Sequence, residues 1–413
     1  MEGQQVARVV IGLAAAVGLA VVAALPQVRR WEQRLGLGVL TASGLPLLLL
    51  GYAFQTFGII SPKTLTDLRP AYEFGLGWIG VVVGMQVNVR RLDEFPPWFM
   101  TAVVAVTVPP ILFAALGSGL VLAAFGALPG TGLIRDIIVL AACAAVSAPA
   151  NLRLLLRNRP PATANIVRAI TRMDQIAAFL LLALAASLFR PAAGTVLWRL
   201  PRSGWFLVTI GVGFLLGVII YLLIRRVESR TEELSLVLGG IALAAGVAGY
   251  LALSVPVVCA LAGAVLANVP YRERDRLENM LGDVERTIYL LMLFLVGTAW
   301  QPLEWQGWVL GVVFAATRAY GKLIGARLAV RVGGAQLPSP PTLALSLLPE
   351  SAIAILVIFT LATLHGSTAP AVRWAVNAVI IGSVLTEIFV QVRQRRESRM
   401  AGEETGPIVT HFV

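Results

Sequence analysis

The run from Ser235 to Ala267, SLVLGGIALAAGVAGYLALSVPVVCALAGAVLA, carries no charged side chain over 33 consecutive positions. As one helix it would extend about 50 Å at 1.5 Å per residue, well beyond a hydrocarbon core of about 30 Å. Gly246, Gly249 and Pro256 lie inside it. Glycine and proline both weaken a helix interior, so the run divides into two shorter apolar helices, 235–250 and 252–267.

Working outward, the other apolar runs lie at 7–26, 36–59, 72–89, 97–124, 133–155, 166–189, 205–224, 286–300, 306–330, 341–363 and 373–392. With the divided run they make about thirteen spans. The loop charges support that count. Loops after the odd-numbered spans, with the C-terminal tail, hold 22 Lys or Arg, and the opposite side holds 8. Cytoplasmic loops carry the excess of positive charge, so the N-terminus is expected outside and the C-terminus inside. One span fewer would exchange every later loop and blur the bias. The stretch 7–26 is retained as a span and not read as a cleaved leader, because Arg29, Arg30 and Arg34 follow it while only Arg8 precedes it.

Composition agrees with a chain surrounded by lipid. Mean hydropathy is +0.82. Charged residues make up 13% of the sequence, against about 25% for a soluble domain. The net charge of +11 does not form a basic face, because most arginines sit at the ends of apolar runs where headgroups lie. Zinc-finger, RNP-like and basic-zipper spacings are missing, so nucleic acid is not an expected partner. Cys143 and Cys259 fall within apolar runs and read as packing residues. His365 and His411 stand far apart, and no metal or other cofactor is expected. An enzyme is likewise not expected, since the chain has no nucleophile motif or catalytic soluble domain.

Two spans contain a proline between small or polar residues. One reads Ser147-Ala148-Pro149-Ala150-Asn151 and the other Leu348-Pro349-Glu350-Ser351. They are seven spans apart and so cross the membrane in opposite senses. That is the arrangement of inverted repeats with a broken helix in each half. The repeats would cover 36–224 and 235–392, six helices each. Residues 1–34 would add a first span and loop, and 397–413 a short cytoplasmic tail after a membrane domain ending near 396. The polar linker 268–285 reads as a cytoplasmic amphipathic or connecting helix.

Ionisable residues within spans are costly unless paired, hydrated or functional. Asp174 lies in the sixth span, Lys322 in the eleventh beside Arg318, and Glu350 follows the twelfth-span proline. Asp174 reads either as a structural ion pair or as a carboxylate that exchanges a proton for a cation. Lys322 reads as a snorkelling lysine or as the partner of Asp174, with Arg318 as a second charge partner. Asn151 and Ser147 flank the fifth-span break as caps or neutral ion ligands. Glu350 is a cap, an ion pair to arginine, or a candidate second acid. Glu73 reads as interfacial.

These segments resemble the monovalent cation:proton antiporters of the sodium/hydrogen exchanger superfamily, especially the bacterial branch. The resemblance is carried by GLGWIGVVVGMQVNVRR at 75–91, LAGAVLAN at 261–268, ERTIYLLMLFLVG at 285–297 and RAYGKLIGARL at 318–328. The last is the most specific. It implies that Lys322 faces the ion-binding carboxylate, and the family's break in the fifth span matches Ser147-Ala148-Pro149. The family usually has Asp-Asp, Asn-Asp or Gln-Asp in the sixth span, where this chain has Asp174-Gln175. Gln175 therefore stands where the indispensable aspartate is expected.

The resemblance implies an all-α polytopic membrane protein of the cytoplasmic (inner) membrane, exchanging H+ for Na+ or K+ by alternating access. Spans 4–6 and 11–13 would move against a scaffold of spans 2, 3 and 7–10, with lipid as surroundings and a homodimer through the scaffold. Asp174 would bind the ion or proton, with Gln175, Ser147 and Asn151 as neutral ligands. Two other readings stand beside this one. Arg172 and Arg318 suit a transporter of an anion or organic solute, and the Asp-to-Gln departure suits a non-transporting sensor or assembly subunit.

Overall fold

The computed structural model describes residues 45–58, 68–92, 94–126, 130–148, 160–190, 200–225, 229–269, 274–350, 352–365 and 370–400, with the single positions 18 and 227. The expected first span apart from position 18, the C-terminal residues beyond Met400, and Pro149 and Asn151 of the fifth-span break lie outside them.

Each described element is an α-helix except the 3-10 turn Gly334–Gln336. In chain order the helices longer than four residues are α1 (Leu45–Thr56), α2 (Arg69–Met85), α3 (Phe99–Ala124), α4 (Thr131–Ala145), α5 (Pro161–Leu188), α6 (Arg202–Ile224) and α7 (Arg230–Tyr250). Then follow α8 (Val255–Asn268), α9 (Arg274–Ala299), α10 (Trp305–Gly333), α11 (Pro340–Leu347), α12 (Ala352–His365) and α13 (Pro370–Met400). Among them, α3, α5, α6, α7, α10 and α13 are long and apolar enough to cross a membrane.

The apolar run 235–267 falls in two helices, α7 and α8. The turn between them closes with Leu253 N–H on Ala248 O at 2.9 Å and Ala252 N–H on Gly249 O at 3.1 Å. Such closure places one residue in the left-handed region, here Ala252 at φ +49°. The polar stretch 268–285 is helical from Arg274 onward, as the first part of α9, which runs unbroken to Ala299. Leu277, Met280 and Leu281 are buried at helical spacing, so the charged half and the apolar half share one inward stripe.

Lipid-facing and inward stripes are distinct. On α3, Met100, Val104, Val108, Leu112, Leu116 and Leu120 are exposed, a step of four residues. The opposite face of the same helix buries Ala102, Val106, Thr107, Pro109, Ala114 and Leu122. In water the exposed row would be an aggregation hazard, whereas in a bilayer it is the solvated surface.

The helices pack in two groups. In one, α10 lies along α3 and α13, α4 lies between α3 and α5, and α12 packs on α4 and α13. In the other, α2 lies along α8, α1 along α9, and α6 and α7 pack on α8. The groups meet mainly through α5 against α6 and α8, and α9 against α12. At the end of α5, Arg190 donates to Leu251 O at 2.6 Å and lies 3.6 Å from the Trp205 ring centroid, tying the first group to the second.

Backbones approach closely within the second group. A Cβ on Gly84 of α2 would lie 1.9 Å from Ala260 O of α8, and one on Gly263 of α8 would lie 2.3 Å from Val81 O of α2. Only glycine permits that separation, and small residues are how membrane helices gain contact without a hydrophobic driving force. Asn268 closes the end of this pair, donating to Val87 O at 2.7 Å and accepting from Val89 N–H at 2.9 Å.

Candidate functional site

Helix α4 stops at Ala145 and α11 stops at Leu347, both inside the first group of helices. The extended chain after α4 meets the chain after α11, with Ala148 N–H donating to Pro349 O at 2.8 Å. Two helix C-termini therefore lie near this junction. Each presents carbonyls without intrahelical partners and a partial negative charge.

Cations from one helix satisfy those carbonyls. Arg318 and Lys322 lie one turn apart on α10 and are fully buried. Arg318 donates through Nη2 to Val146 O at 2.6 Å and through Nη1 to Leu348 O, so a single guanidinium grips both breaks. Lys322 Nζ donates to Ala145 O at 2.7 Å. Arginine suits the first role because its planar fork reaches two acceptors at once.

Each cation also has an acid. Lys322 Nζ lies 2.9 Å from Asp174 Oδ2. Arg318 Nε lies 3.3 Å from Glu350 Oε1, and the Ser383 hydroxyl of α13 donates to the other Glu350 oxygen. Glu350 sits two positions before α12 begins, where the positive end of a helix dipole favours a carboxylate. With all four groups ionised, the two acids and two bases cancel. A buried pair of this kind adds little stability over apolar packing, but removing one partner costs about 3–5 kcal/mol.

Asp174 has no exposed surface. The inward stripe of α5 places it there, since Ile166, Val167, Ile170, Ala178 and Leu182 recur on the same buried side. Ser147 Oγ, at the first break, donates to Asp174 Oδ2 at 2.9 Å. Thr107 Oγ1 of α3 lies 2.5 Å from Asp174 Oδ1.

The structure thus brings together Asp174, Lys322 and Ser147, and places Arg318 and Glu350 in an adjoining pair across the same breaks. Gln175 is buried beside Asp174 in the chain, and its Oε1 has no hydrogen-bond partner among the described residues. Asn151 lies outside the described residues. Glu73 is partly buried and paired with the more exposed Arg69 at 2.7 Å. Thr107 and Ser383 escaped the sequence reading. A hydroxyl two positions before Pro109-Pro110, within an apolar helix, is the one signal that could have found the first. Nothing marks Ser383. Among the described residues no cluster of His, Cys, Asp or Glu could hold a multivalent metal.

A buried acid and a lysine thus pair where two helices end inside the protein, and comparison with known families places the chain. Residues 18–392 match the family described as sodium/hydrogen exchanger, transmembrane. The chain belongs to that family. It is a secondary membrane transporter of the exchanger fold. Among solved structures, it resembles the sodium proton antiporter MjNhaP1 from Methanocaldococcus jannaschii, with a TM-score of 0.66 and 17% identity over 97% of this chain and 99% of that one. That identity speaks for the fold alone. No curated protein matches the sequence.

Proposed function

We propose that this exchanger-family transporter swaps protons for Na+ or K+ at Asp174, moving the site by alternating access. The observation that carries the reading is the complete burial of the Lys322–Asp174 pair where the two broken helices meet. A carboxylate can hold a proton, pair with an ammonium or ligate a cation, and these states exclude one another. Lys322 neutralises Asp174 between loads. When an ion takes the carboxylate, Ala145 O remains as an acceptor for the ammonium. Because Asp174 and Lys322 have no exposed surface, loading requires the first helix group to shift against the second.

Ser147, Gln175 and Asn151 are neutral ligands in this reading, and Arg318 with Glu350 holds the breaks in register. The Asp174-Gln175 order leaves one carboxylate at the ion site, and Glu350 is committed to Arg318 and Ser383. Inverted repeats over 36–224 and 235–392, a cytoplasmic C-terminus, placement in the inner membrane and membership of the bacterial branch follow from the charge pattern and motifs. A homodimer through the scaffold is carried by the resemblance alone. An anion as substrate is disfavoured, because Arg318 already serves two carbonyls and a carboxylate.

The test is cation-driven proton flux in vesicles containing the purified chain and a pH-sensitive dye, challenged in turn with sodium, potassium and lithium. Asp174→Asn keeps the shape and removes the charge. Exchange is expected to fall at least about a hundredfold, as for loss of a group essential to the transported state. Wild-type flux in that variant would remove Asp174 from the mechanism.

A further inference from the structure

The two oxygens of Asp174 are not equivalent. Oδ2 accepts from Lys322 Nζ at 2.9 Å and from Ser147 Oγ at 2.9 Å. Oδ1 meets Thr107 Oγ1 at 2.5 Å. An arriving cation finds the Oδ2 side occupied by an ammonium, so the approach left to it is on the Oδ1 side, beside Thr107.

Thr107 faces two acceptors with one proton. Its Oγ1 lies 2.8 Å from Val103 O on its own helix and 2.5 Å from Asp174 Oδ1. A hydroxyl carries one donor and two lone pairs, and its hydrogen rotates to suit its partners. Turned toward Asp174, the proton satisfies the free carboxylate. Turned toward Val103 O, it leaves a lone pair directed at the Oδ1 side. Rotation about one bond therefore changes Thr107 from a donor into a ligand, and a cation entering there spreads the two oxygens while keeping both.

The position of Thr107 is fixed. Pro109 and Pro110 lack the N–H groups that would bond Ala105 O and Val106 O. A Cβ on Gly325 of α10 would lie 2.8 Å from Ala105 O and 3.0 Å from Val106 O. A Cβ on Gly321 would lie 2.4 Å from Pro110 Cα. The two glycines flank Lys322, so the contact that seats Thr107 on one side of Asp174 also seats the lysine on the other. Thr107 itself is buried.

We propose that Thr107 is a ligand to the transported monovalent cation and helps set its selectivity, acting from the continuous helix α3 opposite Lys322. The inference rests on Asp174 being the ion site. It differs from the expectation that neutral ligands come from the fifth-span break and from Gln175.

Thr107→Val is nearly isosteric and removes the oxygen, Thr107→Ser keeps it, and Thr107→Cys substitutes a soft atom. Full-length variants are compared in vesicles with Na+ and Tl+, and by the cation concentration that half-saturates the thermal shift of purified protein. Thr107→Val should raise the Na+ KM and the half-saturating concentration about tenfold, the size of one lost polar contact, with kcat less affected. Thr107→Ser should stay within about twofold of wild type, since the ligand oxygen is retained. Thr107→Cys should shift preference from Na+ toward Tl+ at least about fivefold, because sulfur favours softer cations. Should Thr107→Val fail to fold, the Cys variant decides. An unchanged Na+/Tl+ preference, or an unchanged Na+ KM in a folded Val variant, overturns the inference provided Asp174→Asn is inactive. If Asp174→Asn retains wild-type exchange, the broader reading of the site has failed instead.

Discussion

The contact of α2 with α8 and the contact of α3 with α10 are built from the same material and serve opposite ends. Both use glycines to bring helix backbones together. Gly84 and Gly263 seat α2 on α8, and Gly321 and Gly325 seat α10 on α3. The first contact surrounds Val81, Val258 and Cys259, which are buried and apolar. The second surrounds Lys322, one turn from Arg318, where two helices end in mid-protein. In lipid, an apolar contact holds two helices by shape alone. Buried charges must in addition keep their partners in every state the protein visits. The α3–α10 contact seats Lys322 against Asp174 of α5, the pair at which we propose the ion exchanges.

That contrast can be broken at several points. The largest effect is expected at Arg318→Met, which strands Glu350 and the carbonyls of Val146 and Leu348. The loss should be about 3–5 kcal/mol, read as a large drop in the thermal midpoint of detergent-purified protein. A variant as stable as wild type would show that the breaks do not depend on the guanidinium. Gly84→Ala comes next, since its Cβ would lie 1.9 Å from a backbone oxygen that no rotamer change can move. A cost of about 2 kcal/mol is expected from overpacking, with cation KM unchanged if the scaffold only frames the site. A shifted KM would mean that the two helix groups are coupled more tightly than their packing suggests. The smallest effect belongs to Gly246→Ala on α7, where a Cβ meets nothing within 4 Å. Here the intrinsic helix preference should prevail, stabilising by up to about 1 kcal/mol. The pair Gly84 and Gly246 separates a glycine kept for close approach from one without that constraint.

Legibility in the sequence followed the strength of the physical penalty. Charge inside an apolar run is expensive, so Asp174, Lys322, Arg318 and Glu350 could be picked out by composition alone. Proline in a span is expensive too, and it marked both breaks. The stretch 268–285 reads as an amphipathic or connecting helix, but its mixed charges hide that Leu277, Met280 and Leu281 continue into the buried side of α9. Thr107 was missed because threonine in a membrane helix carries almost no penalty, being able to bond its own backbone, as it does to Val103 O.

The sequence by itself determined the helical membrane class, the division of the 235–267 run, and which side chains must be accounted for inside the bilayer. Those properties depend on hydrogen-bond satisfaction and transfer energy along the chain, which are local. Only the tertiary structure decided the pairing: that Lys322 goes to Asp174, that Arg318 takes Glu350 and grips both breaks, and that Thr107 faces the freer carboxylate oxygen. Those contacts join residues 30 to 172 positions apart. No local rule reaches that far, because such partners are chosen by how whole helices stack.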